Sequence, residues 1–342
     1  MENQKSHSTK AEKRRAMAEA SKNPFICAVI SNDSTEINRL LRSGSDVNLI
    51  SSEGYTVLMY CTVSGTEKTT KLLLKAGADT NIKDPQGRTA LVWATLNDRT
   101  DLVDLLLKFG ADLDSTCIEG FTPLIYSIVN GNFRMAKHLC RLGADINIRD
   151  PRGNTALIWT LVSSRVAIMK FLLKEGANID DVDSKGRTPL VLAVLKDNAD
   201  AVNALVKFGA GLNLVCPEGR TPLIFSVMQG SQTMKILLDA QADVNIGDKY
   251  GKTALVYAVL FHHVYFVRQL ILAGADVNSI CSQGFTPLMY STTDTSSEII
   301  KSLLEAGAKI DARDFEGLTA LDWAKRHNNS ECAKLLVAAG KM

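Results

Sequence analysis

The chain is poorest in what a membrane protein, a secreted protein or an enzyme would need. Its longest apolar run is about eight residues, 254–261, against the roughly 20 that a membrane helix requires. The opening stretch MENQKSHSTKAEKRRAMAEA has no apolar segment to serve as a signal peptide. Both absences point to a chain of the cytoplasm, with the nucleus also open. Histidine is scarce: His7, His138 and His327 are scattered, and only His262 and His263 are neighbours. That pair reads as a solvated turn, since adjacent imidazoles seldom chelate one ion, with a metal site as the sharper alternative. No nucleophile, base and orienting group converge in the sequence, and neither GxxxxGK[ST] nor G-x-G-x-x-G is there to cradle phosphate. The expectation is a non-enzyme with no catalytic residue, no cofactor and no metal.

A surplus of one charge is lacking too. There are 39 Lys/Arg and 37 Asp/Glu, and beyond residue 20 the two are equal at 34 each. Binding to nucleic acid is ordinarily driven by basic groups that neutralise phosphates, so that partner is disfavoured. Lys13-Arg14-Arg15 could act as a nuclear import signal, but beside Glu12 and Glu19 it reads first as a helix face in water.

What the chain has in abundance is repetition. GFTPLIYS at 120–127 returns as GFTPLMYS at 284–291. The pattern Gly-x-Thr-(Pro/Ala/Val)-Leu begins at Gly54, Gly87, Gly120, Gly153, Gly186, Gly219, Gly251, Gly284 and Gly317, each interval being 33 except the 32 after Gly219. Stepping back once more reaches Ser21, where Pro24 and Phe25 keep phase. The reading is one array of ten units starting at 21, 54, 87, 120, 153, 186, 219, 251, 284 and 317 and ending at 342, the last a C-terminal cap. A charged segment, 1–20, precedes it, with a capping-helix candidate at 9–20.

Each unit repeats one grammar. Thr two residues after the Gly can cap a helix, and Pro or Ala follows where the first turn needs no donor. Leu58, Leu91, Leu124 and their equivalents point inward. Three residues further on stands a small residue (Cys61, Ala94, Ser127, Thr160, Ala193, Ser226, Ala258, Ser291, Ala324) that lets neighbouring helices approach. A second apolar-periodic helix follows, as in DLVDLLLKF, where Leu102, Leu105, Leu106 and Leu107 are the expected buried stripe. It stops at a glycine in every such unit but one, where Gln241 stands instead. Ala-Asp-x-Asn and a loop such as Asp84-Pro85 then turn the chain into the next unit.

This period, with TPLIYS, TALVWA, TPLVLA and GADVN in phase over nearly the whole chain, resembles the ankyrin repeat family. The family's His after Thr-Pro-Leu is replaced by Met59, Val92, Ile125, Ile158, Val191, Ile224, Val256 and Met289, and by Asp322 in the last unit. The resemblance implies an all-α repeat solenoid: inner helices on a concave side, outer helices on a convex side, hairpin loops projecting as fingers. It also implies a monomeric scaffold or adaptor that binds a partner protein or extended peptide through concave face and fingers. In designed ankyrin binders the residue after the motif Gly contacts the target. Here that row is Tyr55, Arg88, Phe121, Asn154, Arg187, Arg220, Lys252, Phe285 and Leu318.

Six residues past each Gly stands a second row: Tyr60, Trp93, Tyr126, Trp159, Leu192, Phe225, Tyr257, Tyr290 and Trp323. Two readings stay open for these rings. They fill space between helices and fingers, or they form a concave strip edged with Arg, with Trp93, Tyr126 and Trp159 at its centre. The rival function is a nucleotide or oligonucleotide sensor that stacks bases on the rings and meets phosphates with Arg88, Arg187, Arg220 and Lys252.

Three smaller features complete the reading. Units alternate, with Ser or Cys three residues before the Gly where the ring is Tyr, and Asp there where it is mostly Trp; the cause is either duplication of a two-unit block or a ligand-facing pattern. Cys117, Cys216 and Cys281 share that slot several units apart, too far to pair with one another, and read as loop residues rather than reactive thiols. The Asn of Ala-Asp-x-Asn (Asn48, Asn81, Asn147, Asn245, Asn278) resembles the residue hydroxylated in some ankyrin repeats, though turn formation accounts for it.

Overall fold

The computed structural model describes residues 23–293 and 297–340. The helix expected at 9–20, the Lys13-Arg14-Arg15 motif and His7 lie outside the described residues. The chain divides into two compact units, one running to Asn178 and one beginning at Ile179. In the first, helices pair as α1 (Pro24–Ile30) with α2 (Ser34–Arg42), α3 (Val57–Ser64) with α4 (Glu67–Lys75), α5 (Ala90–Leu96) with α6 (Thr100–Lys108), α7 (Pro123–Val129) with α8 (Phe133–Arg141), and α9 (Ala156–Val162) with α10 (Val166–Lys174). In the second the pairs are α11 (Pro189–Leu195) with α12 (Ala199–Lys207), α13 (Pro222–Met228) with α14 (Thr233–Asp239), α15 (Ala254–Leu260) with α16 (Val264–Leu272), α17 (Pro287–Tyr290) with α18 (Ser297–Glu305), and α19 (Ala320–Arg326) with α20 (Ser330–Ala339). Among the described residues there is no strand, only a bridge between Ile50 and Thr56. The fold is an all-α repeat solenoid.

The helices start where the threonines stand. Thr56, Thr122, Thr155, Thr188, Thr221, Thr253, Thr286 and Thr319 each accept the amide of the third helical residue through the side chain, an interaction worth about 1 kcal/mol. Thr89 departs from the pattern, its hydroxyl pairing with Ser115 across the repeat junction at 3.3 Å. The position where the family carries His is buried and aliphatic or Met in the internal repeats. In the last, Asp322 closes a capping box with Thr319.

Within each compact unit every odd-numbered helix packs on the next odd one, and even-numbered helices pack on even ones at most junctions. The small residues of the inner helices, Cys61, Ala94, Ser127, Thr160, Ala193, Ser226, Ala258, Ser291 and Ala324, are all buried. Each inward Leu contributes roughly 1.5–3 kcal/mol of burial. The stripe of α6 differs slightly from expectation, because Val103 is buried and Leu107 is only half-buried. The extra position follows from the wide apolar face of a helix covered on two sides.

A second ladder of side chains stitches the turns. Asn48 Oδ1 accepts the amide of Asp79, Asn81 that of Asp112, Asn147 that of Asn178, Asn245 that of Asp276 and Asn278 that of Lys309, at 2.7–3.0 Å. The Asn of Ala-Asp-x-Asn is thus a strut between repeats as well as a turn residue. The missing residue of the repeat starting at Gly219 falls in the outer helix, since α14 has seven residues where α2, α4 and α12 have nine. His262 adopts the same left-handed turn conformation as Asp98, Ser164 and Asp197 in their repeats, which seats it in an exposed turn between α15 and α16.

Candidate functional site

The finger loops and the ring row are joined by a single nine-residue link. The residue three before each motif Gly reaches the ring six after it. Asp84 Oδ2 accepts the indole N–H of Trp93 at 3.0 Å, Asp150 that of Trp159 at 3.0 Å and Asp314 that of Trp323 at 2.7 Å. Asp248 accepts the phenol of Tyr257 at 2.7 Å. Where the slot holds Ser or Cys the partner is Tyr: Tyr60 with Ser51 at 3.1 Å, Tyr290 with Cys281 at 3.2 Å, and Tyr126 with Cys117. Burial first, and these thiols second, push the Tyr126 and Tyr290 phenols up from their ordinary value. An indole can only donate and here takes a carboxylate, whereas a phenol can also accept and so pairs with a hydroxyl or thiol as well as with a carboxylate.

The two repeats whose ring cannot pair are consistent with this chemistry. Leu192 offers no donor, and Asp183 Oδ2 accepts from Nε and Nη2 of Arg187 instead. Phe225 has no hydroxyl, so the Cys216 thiol goes to Glu218 at 3.0 Å. Burial, then this carboxylate, keep Cys216 protonated above the ordinary thiol value, as burial does for Cys61. None of the seven cysteines is in a disulfide.

The aromatic residues after the motif Gly are wedges between rings. Tyr55 meets Tyr60 and Trp93 edge-on at centroid distances of 6.0 and 5.3 Å. Phe121 meets Tyr126 and Trp159 at 5.5 and 4.7 Å, and Phe285 meets Tyr290 and Trp323 at 5.4 and 5.1 Å. The alternation of units is therefore a packing register in which one wedge locks its own Tyr to the Trp of the next repeat.

This changes where the sequence-expected residues stand. Tyr55, Arg88, Phe121, Tyr60, Trp93, Trp159 and Tyr257 are buried, not projecting. Edge-to-face packing adds about 0.5–1.5 kcal/mol per pair beyond area burial, which draws the wedges inward. Arg88 folds back onto Asp84 at 2.8 Å and lies over Trp93 at 4.5 Å. Arg187, Arg220, Lys252, Phe285, Tyr126, Phe225 and Tyr290 are half-exposed, and Arg187 is spent on Asp183 at 2.6 Å.

Two apolar sets face solvent instead, and the sequence reading missed both. Three residues past the ring, the inner helices carry a half-exposed aliphatic row: Val63, Leu96, Val129 and Val162 in the first compact unit, Leu195, Met228 and Leu260 in the second. The i, i+3 spacing from the ring was the available signal, since it puts this row on the same helix face. The loop tips form the other set, with Ile50 and Ile118 in the first unit and Val215, Tyr250, Ile280 and Phe315 in the second; Ile118 and Phe315 are each 74% exposed. Among the described residues no group of His, Cys, Asp or Glu is arranged to hold a metal.

The family profile described as Ankyrin repeats (3 copies) matches residues 6–84, 76–150, 142–215, 193–281 and 262–341. The chain belongs to the ankyrin repeat family. The human ASB11 ankyrin repeat domain is similar in structure, at 27% identity and a TM-score of 0.53, over 64% of this chain and 98% of that one. The ankyrin repeat domain of Bcl-3, a member of the IkappaB protein family, superposes with a TM-score of 0.60 at 24% identity, over 64% of this chain and 99% of that one, which speaks to the fold alone. No curated protein sequence matches the chain.

Proposed function

We propose that this chain is a non-catalytic ankyrin scaffold that binds a partner protein or extended peptide along its inner helices and loop tips. The observation that carries the reading is the half-exposed aliphatic row on the inner helices, with further exposed apolar side chains at the loop tips. Contiguous apolar surface with a polar border marks interaction sites on soluble proteins. The oligonucleotide reading is weakened by what its residues already do: Arg88 and Arg187 are bound to Asp84 and Asp183, and Trp93 and Trp159 lie buried under Tyr55 and Phe121. No helix among the described residues is long and apolar enough to cross a membrane, and thiols without disulfides suit a reducing cytosol or nucleus.

Affinity capture from cell extract tests the reading with Leu96→Asp/Val129→Asp/Val162→Asp against the unaltered chain. These side chains are already half in water, so the fold should survive, as circular dichroism would show. The captured partners should be lost. Identical partner sets from both chains would refute binding through this face.

A further inference from the structure

Deepening that reading, we infer that the second compact unit recognises an acidic extended peptide, with Arg220 and Lys252 as the two carboxylate-binding groups. Four repeats carry a cation directly after the motif Gly, and the structure sorts them into two kinds. Arg88 and Arg187 each have an Asp four residues earlier and pair with it. Arg220 follows a slot that holds Cys216, and that thiol is already directed to Glu218. Lys252 does have Asp248 in its slot, but the two Asp248 oxygens are taken by the amides of Tyr250 and Lys252 and by the Tyr257 phenol. Among the described residues neither Arg220 nor Lys252 makes an ion pair.

Both cations are held in place on aromatic faces. The Arg220 guanidinium lies 5.9 Å from the Tyr257 ring and Lys252 Nζ lies 5.4 Å from that of Tyr290. Arg220 Nε is buried with no hydrogen-bond acceptor. The guanidinium as a whole is half-exposed and is also engaged by the Tyr257 phenol, and its remaining N–H groups suit a ligand carboxylate. Glu218 is the nearby acid, engaged by Cys216 and close enough to feel Arg220 and Lys249. Beside the pair, Phe261 stacks on Tyr257 with an interplanar angle of 17° and is 44% exposed, a flat apolar seat for a neighbouring ligand side chain.

The spacing limits the ligand. Arg220 and Lys252 occupy the same position in consecutive repeats, whose packed helices lie about 8–10 Å apart. An extended peptide in the polyproline II conformation advances about 3.1 Å per residue with about three residues per turn, so two carboxylates three residues apart lie on one face and span the two cations.

The test uses the full chain and two fluorescein-labelled decapeptide pools. One fixes Glu at two positions three apart and the other fixes Gln there, the remaining positions being randomised without Lys or Arg. The Glu pool should bind at least about tenfold more tightly, a difference that shrinks as salt screens the charges. Arg220→Gln/Lys252→Gln should erase the preference, whereas Lys185→Gln/Lys249→Gln, exposed cations on the loops of the Gly186 and Gly251 repeats, should keep most of it. Equal affinity for the two pools, or a preference that survives in Arg220→Gln/Lys252→Gln, would overturn the inference. So would a single-stranded 12-nucleotide DNA that displaces the Glu pool as well as an unlabelled acidic peptide does. Leu195→Asp/Met228→Asp/Leu260→Asp separates the two readings: if the preference for Glu persists there undiminished, recognition by the cations stands and the aliphatic row is not the binding face.

Discussion

Gln241 has φ at +64°, in the place where the neighbouring repeats have Gly209 and Gly274 at +87° and +88°. A Cβ at either of those glycines would meet nothing within 4 Å, so the demand for glycine is one of backbone conformation and not of space. A side chain in the left-handed region costs about 1–2 kcal/mol, partly offset because glycine is looser in the unfolded chain. Gln241→Gly should therefore stabilise the protein by about 0.5–1 kcal/mol, read as a higher urea midpoint with unchanged slope. A second residue-scale prediction concerns acid. Burial raises the Asp183 carboxyl, but bonds from the Arg187 side chain and the amides of Arg187 and Lys185 outweigh it and hold the group below its ordinary value. Asp314 is lowered in the same way, with the amides of Leu318 and Glu316 and the Trp323 indole overcoming burial. A carboxyl with a depressed folded value binds protons more readily when unfolded. Its contribution is present above about pH 4, the unfolded value, and drains away as pH falls through the folded one. Urea midpoints should decline from pH 5 toward acid, and more shallowly in Asp183→Asn than in the parent.

At the scale of elements, the unit of construction is a finger, an inner helix and the wedge that joins them to the next repeat. Removing Phe121 takes away its contacts with both Tyr126 and Trp159. Phe121→Ala should cost about 3–5 kcal/mol, whereas Phe121→Tyr, the residue found at position 55, should cost far less. Thermal denaturation of the two variants distinguishes a wedge from an idle loop residue, for which both would be neutral. This element was only half legible in the sequence. The period, the Thr caps, the small residues between inner helices and the alternation of Asp with Ser or Cys could all be read as patterns, because each depends on local spacing. The direction of the residue after the motif Gly could not. A residue at a loop apex points to solvent by default, and only the nearness of two rings, one of them a repeat away, draws it inward. The same blindness hid the aliphatic row: Val, Leu and Met on an apolar helix look like core until the structure shows that they are only partly covered.

At the scale of the molecule, stability in a repeat array is a sum of intrinsic and nearest-neighbour terms, and this was legible from the period alone. It makes the last repeat a direct test. Within the second compact unit, α17 packs on α19 and α18 on α20. Phe285 leans on Trp323, and Leu288, Ile300 and Leu303 are buried. Cutting the chain after residue 316 removes α19 and α20 and uncovers the side of the preceding repeat that they cover. Each aliphatic side chain opened to water there forfeits up to about 1.5–3 kcal/mol, so α17 and α18 should lose protection from hydrogen exchange. Helices α11 and α12 have no substantial packing on α19 or α20 and should keep theirs. The uncovered face should bind a hydrophobic dye and drive self-association, seen as a growing mass in light scattering while the helical circular dichroism per remaining residue stays near that of the parent. A truncated chain that remained monomeric, dye-silent and fully protected in α17 would mean that the last repeat contributes nothing to its neighbour, contrary to the nearest-neighbour account. Loss of protection spreading evenly to α11 would instead mean that this unit folds around one shared centre and not repeat by repeat.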